Sequence, residues 1–130
     1  MSTTATPTAL HFLQLHEISH LIRTRALSSR EVTEAMLARI DALEPALQSF
    51  ATVMAETALA EADRADALSA RGDWLGDLHG VPVAVKDLAN THDAPTGAGT
   101  TIHADFRSDS DATVVARLRR AGAVILGKLR

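Results

Sequence analysis

The chain has 130 residues, 46% of them hydrophobic, which is enough for one domain with a modest core. Its 13 basic and 16 acidic side chains leave a formal charge of −3, excluding the basic surface a phosphate backbone requires, and the lack of cysteine excludes disulfides, thiolate nucleophiles and cysteine-ligated zinc. The opening "MSTTATPTALHFLQLHEISH" has no basic segment ahead of an apolar core and no apolar run reaches spanning length, so a cytoplasmic, soluble protein without nucleic-acid or membrane partners is expected.

Residues 1–10, rich in Thr, Ala and Pro, show no periodicity and read as a flexible arm; residues 11–130 read as part of one α/β domain. Leu15, Ile18, Leu21 and Ile22 recur at helical spacing and predict a short amphipathic helix from His16 to Arg25. In "LSSREVTEAMLARIDALEP", Ser28 stands three residues before Glu31, the capping-box arrangement. Val32, Met36, Ile40 and Leu43 then form the apolar face, with Pro45 as the expected terminator. Leu47–Met54 predicts a strand, Glu56–Ala70 a helix followed by Gly72, and "RGDWLGDLHG" a loop in which Trp74 is a packing anchor.

The run Val81–Lys86 predicts a buried strand, and "NTHDAPTGAGTT" a long loop too rich in Gly, Thr and Pro for a regular element. Ser110 or Asp111 is the expected cap of a helix over Ala112–Ala121 with Val114, Val115 and Leu118 inward; Gly122 ends it and a strand follows over Ala123–Leu126. The order predicts helices packed on a mixed sheet. An apolar strand close to Arg130 lacks the helix that would cover it, so the sequence reads as truncated at its carboxyl end and prone to self-association as a homo-oligomer.

The lysine ending the apolar run is the chief candidate for chemistry. Strand alternation places Pro82, Ala84 and Lys86 on one face, with Val81, Val83, Val85 and Asp87 on the other. A lysine covered on such a face loses hydration, which favours the neutral amine and suits a general base for a hydroxyl nucleophile. The alternative is a solvated lysine where the strand emerges, its stem on apolar surface.

The segments "LHGVPVAVKDLANTHDAPTGAGT" and "DATVVARLRRAGAVILGK" resemble the amino-terminal part of the amidase signature family, and "LSSREVTEAMLARIDALEP" and "FATVM" follow in order and spacing, so the resemblance runs from about Ile18 to Lys128. It implies a hydrolase that cleaves a carboxylic amide through an acyl-serine intermediate, with no cofactor and Lys86 as the base of a Ser-Ser-Lys triad. Both serines of that triad lie beyond the motifs present; Ser108 and Ser110 sit outside them, so the 130-residue chain alone is expected to be inactive. Thr100, Gly97 and Asp93 stand where the family favours Ser, Thr and Gly, and "KDL" and "GKLR" depart from the segments common in the corresponding glutamyl-tRNA amidotransferase chains, which favours a general amidase. Lys128 reads as a structural lysine at a strand end.

Two other readings compete. One is a non-catalytic α/β remnant or interaction module. The other is a zinc hydrolase, because "HEISH" places His16 and His20 one helical turn apart with Glu17 between, the pattern of two ligands and a water-activating glutamate, and Glu34 or Glu44 as a conceivable third ligand. The alternative for the histidines is the wet side of an amphipathic helix. His79 and His92 read as isolated structural loop residues, and the "GAG" at Gly97–Gly99 lacks the Lys-Ser/Thr of a phosphate loop.

Overall fold

The computed structural model describes residues 9–130. The arm expected over residues 1–10 lies outside them as far as residue 8. Leu10 already belongs to a 3₁₀ turn, Leu10–Phe12, and packs against Ile18, Ile22, Val32 and Val81.

Four helices pack on a three-stranded mixed sheet. The first, α1, spans Leu15–Arg23 and buries Ile18 and Ile22. Helix α2, Ser29–Leu47, starts as the capping box requires: Ser28 Oγ accepts from Glu31 N–H at 3.0 Å and Glu31 Oε2 accepts from Ser28 N–H at 2.7 Å. Pro45 does not end α2 but lies inside it. So near the C-terminus it removes one intrahelical donor only, and its ring is exposed to water, so the last turn survives. Termination falls instead to Gln48, left-handed at φ 50°, whose N–H bonds Glu44 O at 2.8 Å.

Strand β1 spans Phe50–Val53, α3 Ala55–Ala70, β2 Pro82–Lys86, α4 Thr113–Arg120 and β3 Val124–Leu129. The sheet order is β1-β3-β2, with β3 antiparallel to β1 and parallel to β2. One face of β3 sets Val124 and Leu126 against Ala58 and Ala62 of α3; the other sets Ile125 among Met54, Val85 and Val115. The small alanines let α3 lie close to the strand, and the branched residues fill the opposite layer. Among the described residues no helix is long and apolar enough to cross a membrane.

Three expectations are corrected around α4 and β3. Neither Ser110 nor Asp111 caps α4: the N-cap is Ala112, without a side-chain cap, because Asp111 is held by His92 and Arg119. Val114 is 55% exposed, and Val115 alone of the helix is fully buried. The last strand continues past Leu126 through Gly127 and Lys128 to Leu129.

That continuation depends on an irregular register. Val83 pairs with Ile125, but Val85 pairs with Lys128, so β3 takes three steps while β2 takes two. The extra residue reverses alternation after Ile125, and Lys128 projects to the same face as its partner Val85. Gly127 sits in this bulge because a Cβ there would collide with the backbone oxygen of Thr52 and lie 2.9 Å from the Phe50 ring. Gly122, at φ 94°, ends α4 and lets the turn at His79 approach closely: a Cβ would lie 2.6 Å from His79 Cα, and Gly80 N–H bonds Gly122 O at 2.8 Å.

Candidate functional site

Lys86 ends β2, and Asp87 begins a segment without helix or strand that runs to Ala112. This segment folds back over the ends of β2 and β3 and encloses, with β1, an open cavity of about 540 Å³. Lys86, Asp87, Thr52 and Arg130 line it on the strand side and Gly97 to Thr101 on the loop side. A site at the carboxyl ends of parallel strands is where α/β folds place ligands.

Lys86 is exposed on the cavity rim, so the cover expected for a neutral amine there is not supplied by residues 9–130. Its neighbour Asp87 turns the other way, as alternation requires, and is buried. The Asp87 carboxylate is committed below the sheet end: Oδ2 accepts from Gly97 N–H at 3.1 Å and Oδ1 lies 3.5 Å from Lys128 Nζ. The cavity's hydroxyls belong to threonines, and Thr100 is engaged within its own loop, donating to Gly97 O at 3.1 Å. Ser108 and Ser110 bond one another in a local turn.

What three side chains touch was not legible in the sequence. Lys128, read as a structural lysine at a strand end, is fully buried there; its Nζ donates to Thr96 Oγ1 at 2.7 Å and Pro95 O at 3.1 Å. His79 is buried under Trp74, its Nδ1 accepting from Leu75 N–H at 3.1 Å, so Nε2 carries the proton and faces Ala65 O at 2.9 Å and Ser69 Oγ at 3.0 Å. This clasp fastens α3 to the approach to β2, a structural task.

The third is Arg119. Its guanidinium reaches Glu61 on α3, both oxygens of Asp93 at 2.9 Å and Asp111 Oδ2 at 3.0 Å, tying α3, α4 and the long loop together. Asp93, where the family favours glycine, is one of its anchors. Replacing Arg119 with leucine would remove the guanidinium from three mostly buried carboxylates, of which Asp111 alone keeps another ion-pair partner, His92. With the four side chains 12–23% exposed, the expected loss is at the lower end of the about 3–5 kcal/mol for breaking a buried pair, measurable by denaturant unfolding.

The same cluster predicts an acid limb. Burial alone would raise the Asp111 carboxyl, but hydrogen bonds from the His92 N–H and ring and the charges of Arg119 and His92 outweigh it, holding it below the usual aspartate value. Asp111 therefore contributes stability that is complete above about pH 4 and is lost as pH falls through the lowered folded value. Glu61 has the opposite sign: desolvation raises it, against the Ile125 N–H and Arg119 and helped by Asp93 and Asp111, so its contribution is present below about pH 4 and lost as pH rises through the raised value. Asp111→Asn should flatten the fall in melting temperature below about pH 4; an unchanged fall would contradict this assignment.

The zinc reading is corrected. Glu17 is the third residue of a capping box, its Oε2 accepting from Gln14 N–H at 2.7 Å, and His16 and His20 are exposed. Glu34 pairs with Arg30 and Glu44 accepts from Phe50 N–H, so neither proposed third ligand is available. Among the described residues the single group of three His, Asp or Glu donor atoms within 4.8 Å is His92, Asp93 and Asp111, where Arg119 already supplies the positive charge.

An α/β layer with a lysine at a strand end, facing a Gly/Thr-rich loop, is the arrangement expected of amidases, and the sequence profile of the Amidase family matches residues 31–130: the chain belongs to that family. Among its relatives, AmiD of Mycobacterium tuberculosis is 64% identical over 121 residues, covering 93% of this chain and 26% of AmiD. A glutamyl-tRNA(Gln) amidotransferase chain of Moorella thermoacetica is 46% identical over 120 residues, covering 92% of this chain and 25% of that protein. The native peptide amidase of Stenotrophomonas maltophilia superposes with a TM-score of 0.86 at 35% identity over 92% of this chain and 25% of the enzyme. The chain thus spans about a quarter of the length of the relatives it matches.

Proposed function

We propose that these residues are the amino-terminal part of a serine-dependent amide hydrolase in which Lys86 is the general base. The observation that carries this reading is the position of Lys86: an amine on the cavity rim at the end of β2, turned away from the only carboxylate adjoining it in sequence. Family membership supports the same role. Lys86 accepts the proton of a bridging serine, which accepts that of the nucleophilic serine. The nucleophile's Oγ bonds the amide carbonyl carbon, the C–N bond breaks and the amine leaves with a proton. Water then cleaves the acyl-serine ester, releasing the acid and restoring the hydroxyl. Both serines come from polypeptide outside these 130 residues, since the cavity offers threonines alone.

A small-molecule amide is the favoured substrate class, in a cytoplasmic setting suggested by composition. "KDL" and "GKLR" support a general amidase over a component of an amidotransferase, as does the higher identity to AmiD, 64% against 46%. The test is release of ammonia or amine from a panel of small amides by the intact polypeptide, purified alone. Turnover without any partner protein is expected; activity that appears only when further subunits are added would transfer the reading to an amidotransferase.

A further inference from the structure

Two charged groups at the same sheet end are left unused by the proposed chemistry. Lys128 is 0% exposed and Asp87 7%. The bulge at Gly127 turns Lys128 to the face of Val85, which is also the face of Asp87, two residues further along β2. The ammonium group donates to Thr96 Oγ1 at 2.7 Å and Pro95 O at 3.1 Å, and lies 3.5 Å from Asp87 Oδ1 as an ionic contact without a hydrogen bond. That Asp87 oxygen is buried and has no hydrogen-bond donor among the described residues, so Lys128 is its only compensation.

Asp87 in turn holds the loop. Oδ2 accepts from Gly97 N–H at 3.1 Å, its carbonyl accepts from Ala98 N–H at 3.0 Å and its own N–H donates to Leu129 O at 2.8 Å. Gly97 eases this approach, because a Cβ would lie a tight 3.2 Å from the carboxylate. Three of the four residues from Pro95 to Ala98 line the cavity, and the fourth, Thr96, binds Lys128. The lysine and aspartate therefore grip one wall of the cavity and the peptide unit that carries Lys86.

A buried ion pair of this kind is a poor way to gain stability, since an apolar pair of similar volume is often neutral or stabilising in its place. Its cost calls for a geometric explanation. We propose that Lys128 and Asp87 are a positioning pair for the amide-cleaving reaction, fixing the Pro95–Ala98 wall relative to Lys86 without touching the reacting atoms. The proposal rests on the reading of Lys86 as the base.

The test uses the intact polypeptide and the double variant Lys128→Met/Asp87→Asn, which removes both charges and keeps both shapes. The melting temperature should stay within a few degrees of wild type, while kcat falls about 10- to 100-fold, KM changes less than about threefold and the Gly97 and Ala98 amides exchange faster. A purely structural pair would link lost activity to lost stability. If the double variant does not fold, Thr96→Val removes only the 2.7 Å acceptor, and kcat should fall about three- to tenfold. Wild-type kcat in either folded variant, in an enzyme that Lys86→Ala inactivates, would overturn the positioning role alone. A fully active Lys86→Ala enzyme would instead overturn the reading of Lys86, and the proposal with it.

Discussion

Replacing Lys86 with alanine in the intact polypeptide should lower kcat/KM for amide cleavage by at least about 10³-fold, within the range general-base catalysis commonly contributes. The fold should not notice. Lys86 is exposed and absent from the apolar clusters, whereas Val83 and Val85 hold β2 in the layer with Ile125 and Val115. A surface change of this kind alters stability by no more than about 0.5 kcal/mol. Lys86→Arg should be as inactive as alanine, since a guanidinium stays protonated and cannot accept a proton. Initial rates together with thermal melts of the three proteins check both halves. Substantial activity in either variant would remove Lys86 from the chemistry.

A large structural effect is expected at Gly127. A methyl group there would meet the Thr52 backbone oxygen and the Phe50 ring, both on β1, and neither is the free end of a flexible side chain. β1 would have to withdraw from β3 where Val53 pairs with Gly127, and the bulge that aims Lys128 would be disturbed with it. Gly127→Ala should therefore cost about 3 kcal/mol, the upper end of the usual overpacking penalty, when measured by denaturant unfolding. Gly72 is the control. It is left-handed, at φ 79°, but a Cβ would meet nothing within 4 Å, so alanine there should cost about 1 kcal/mol. Equal losses at the two sites would show that the contact with β1 does not decide the outcome.

The parts of the fold that could be read from sequence are those whose causes are local. Ser28 and Glu31 satisfy one another within a single turn, Gly122 ends α4 by its own backbone freedom, and the apolar run before Lys86 declares a strand, although the burial expected along it is reached within β2 only at Val85. The missed parts have remote causes. Lys128 looks like the end of a strand because its compensating groups, Asp87, Pro95 and Thr96, come from a segment more than 30 residues earlier. In "RLRR" nothing local marks Arg119 rather than Arg117 or Arg120 as the inward arginine; that follows from how α4 seats against α3 and the long loop. The same seating turns Val114 outward. Of the candidate site, the place of Lys86 at the strand end and its orientation away from Asp87 followed from alternation, while the buried pair beneath it needed the bulge in β3.

The most direct test is a structure of the intact polypeptide, read at one distance. The account predicts a serine Oγ from outside these 130 residues about 2.6–3.2 Å from Lys86 Nζ, with the amine covered from solvent. An Nζ reaching into open water, with no serine hydroxyl within reach, would contradict it.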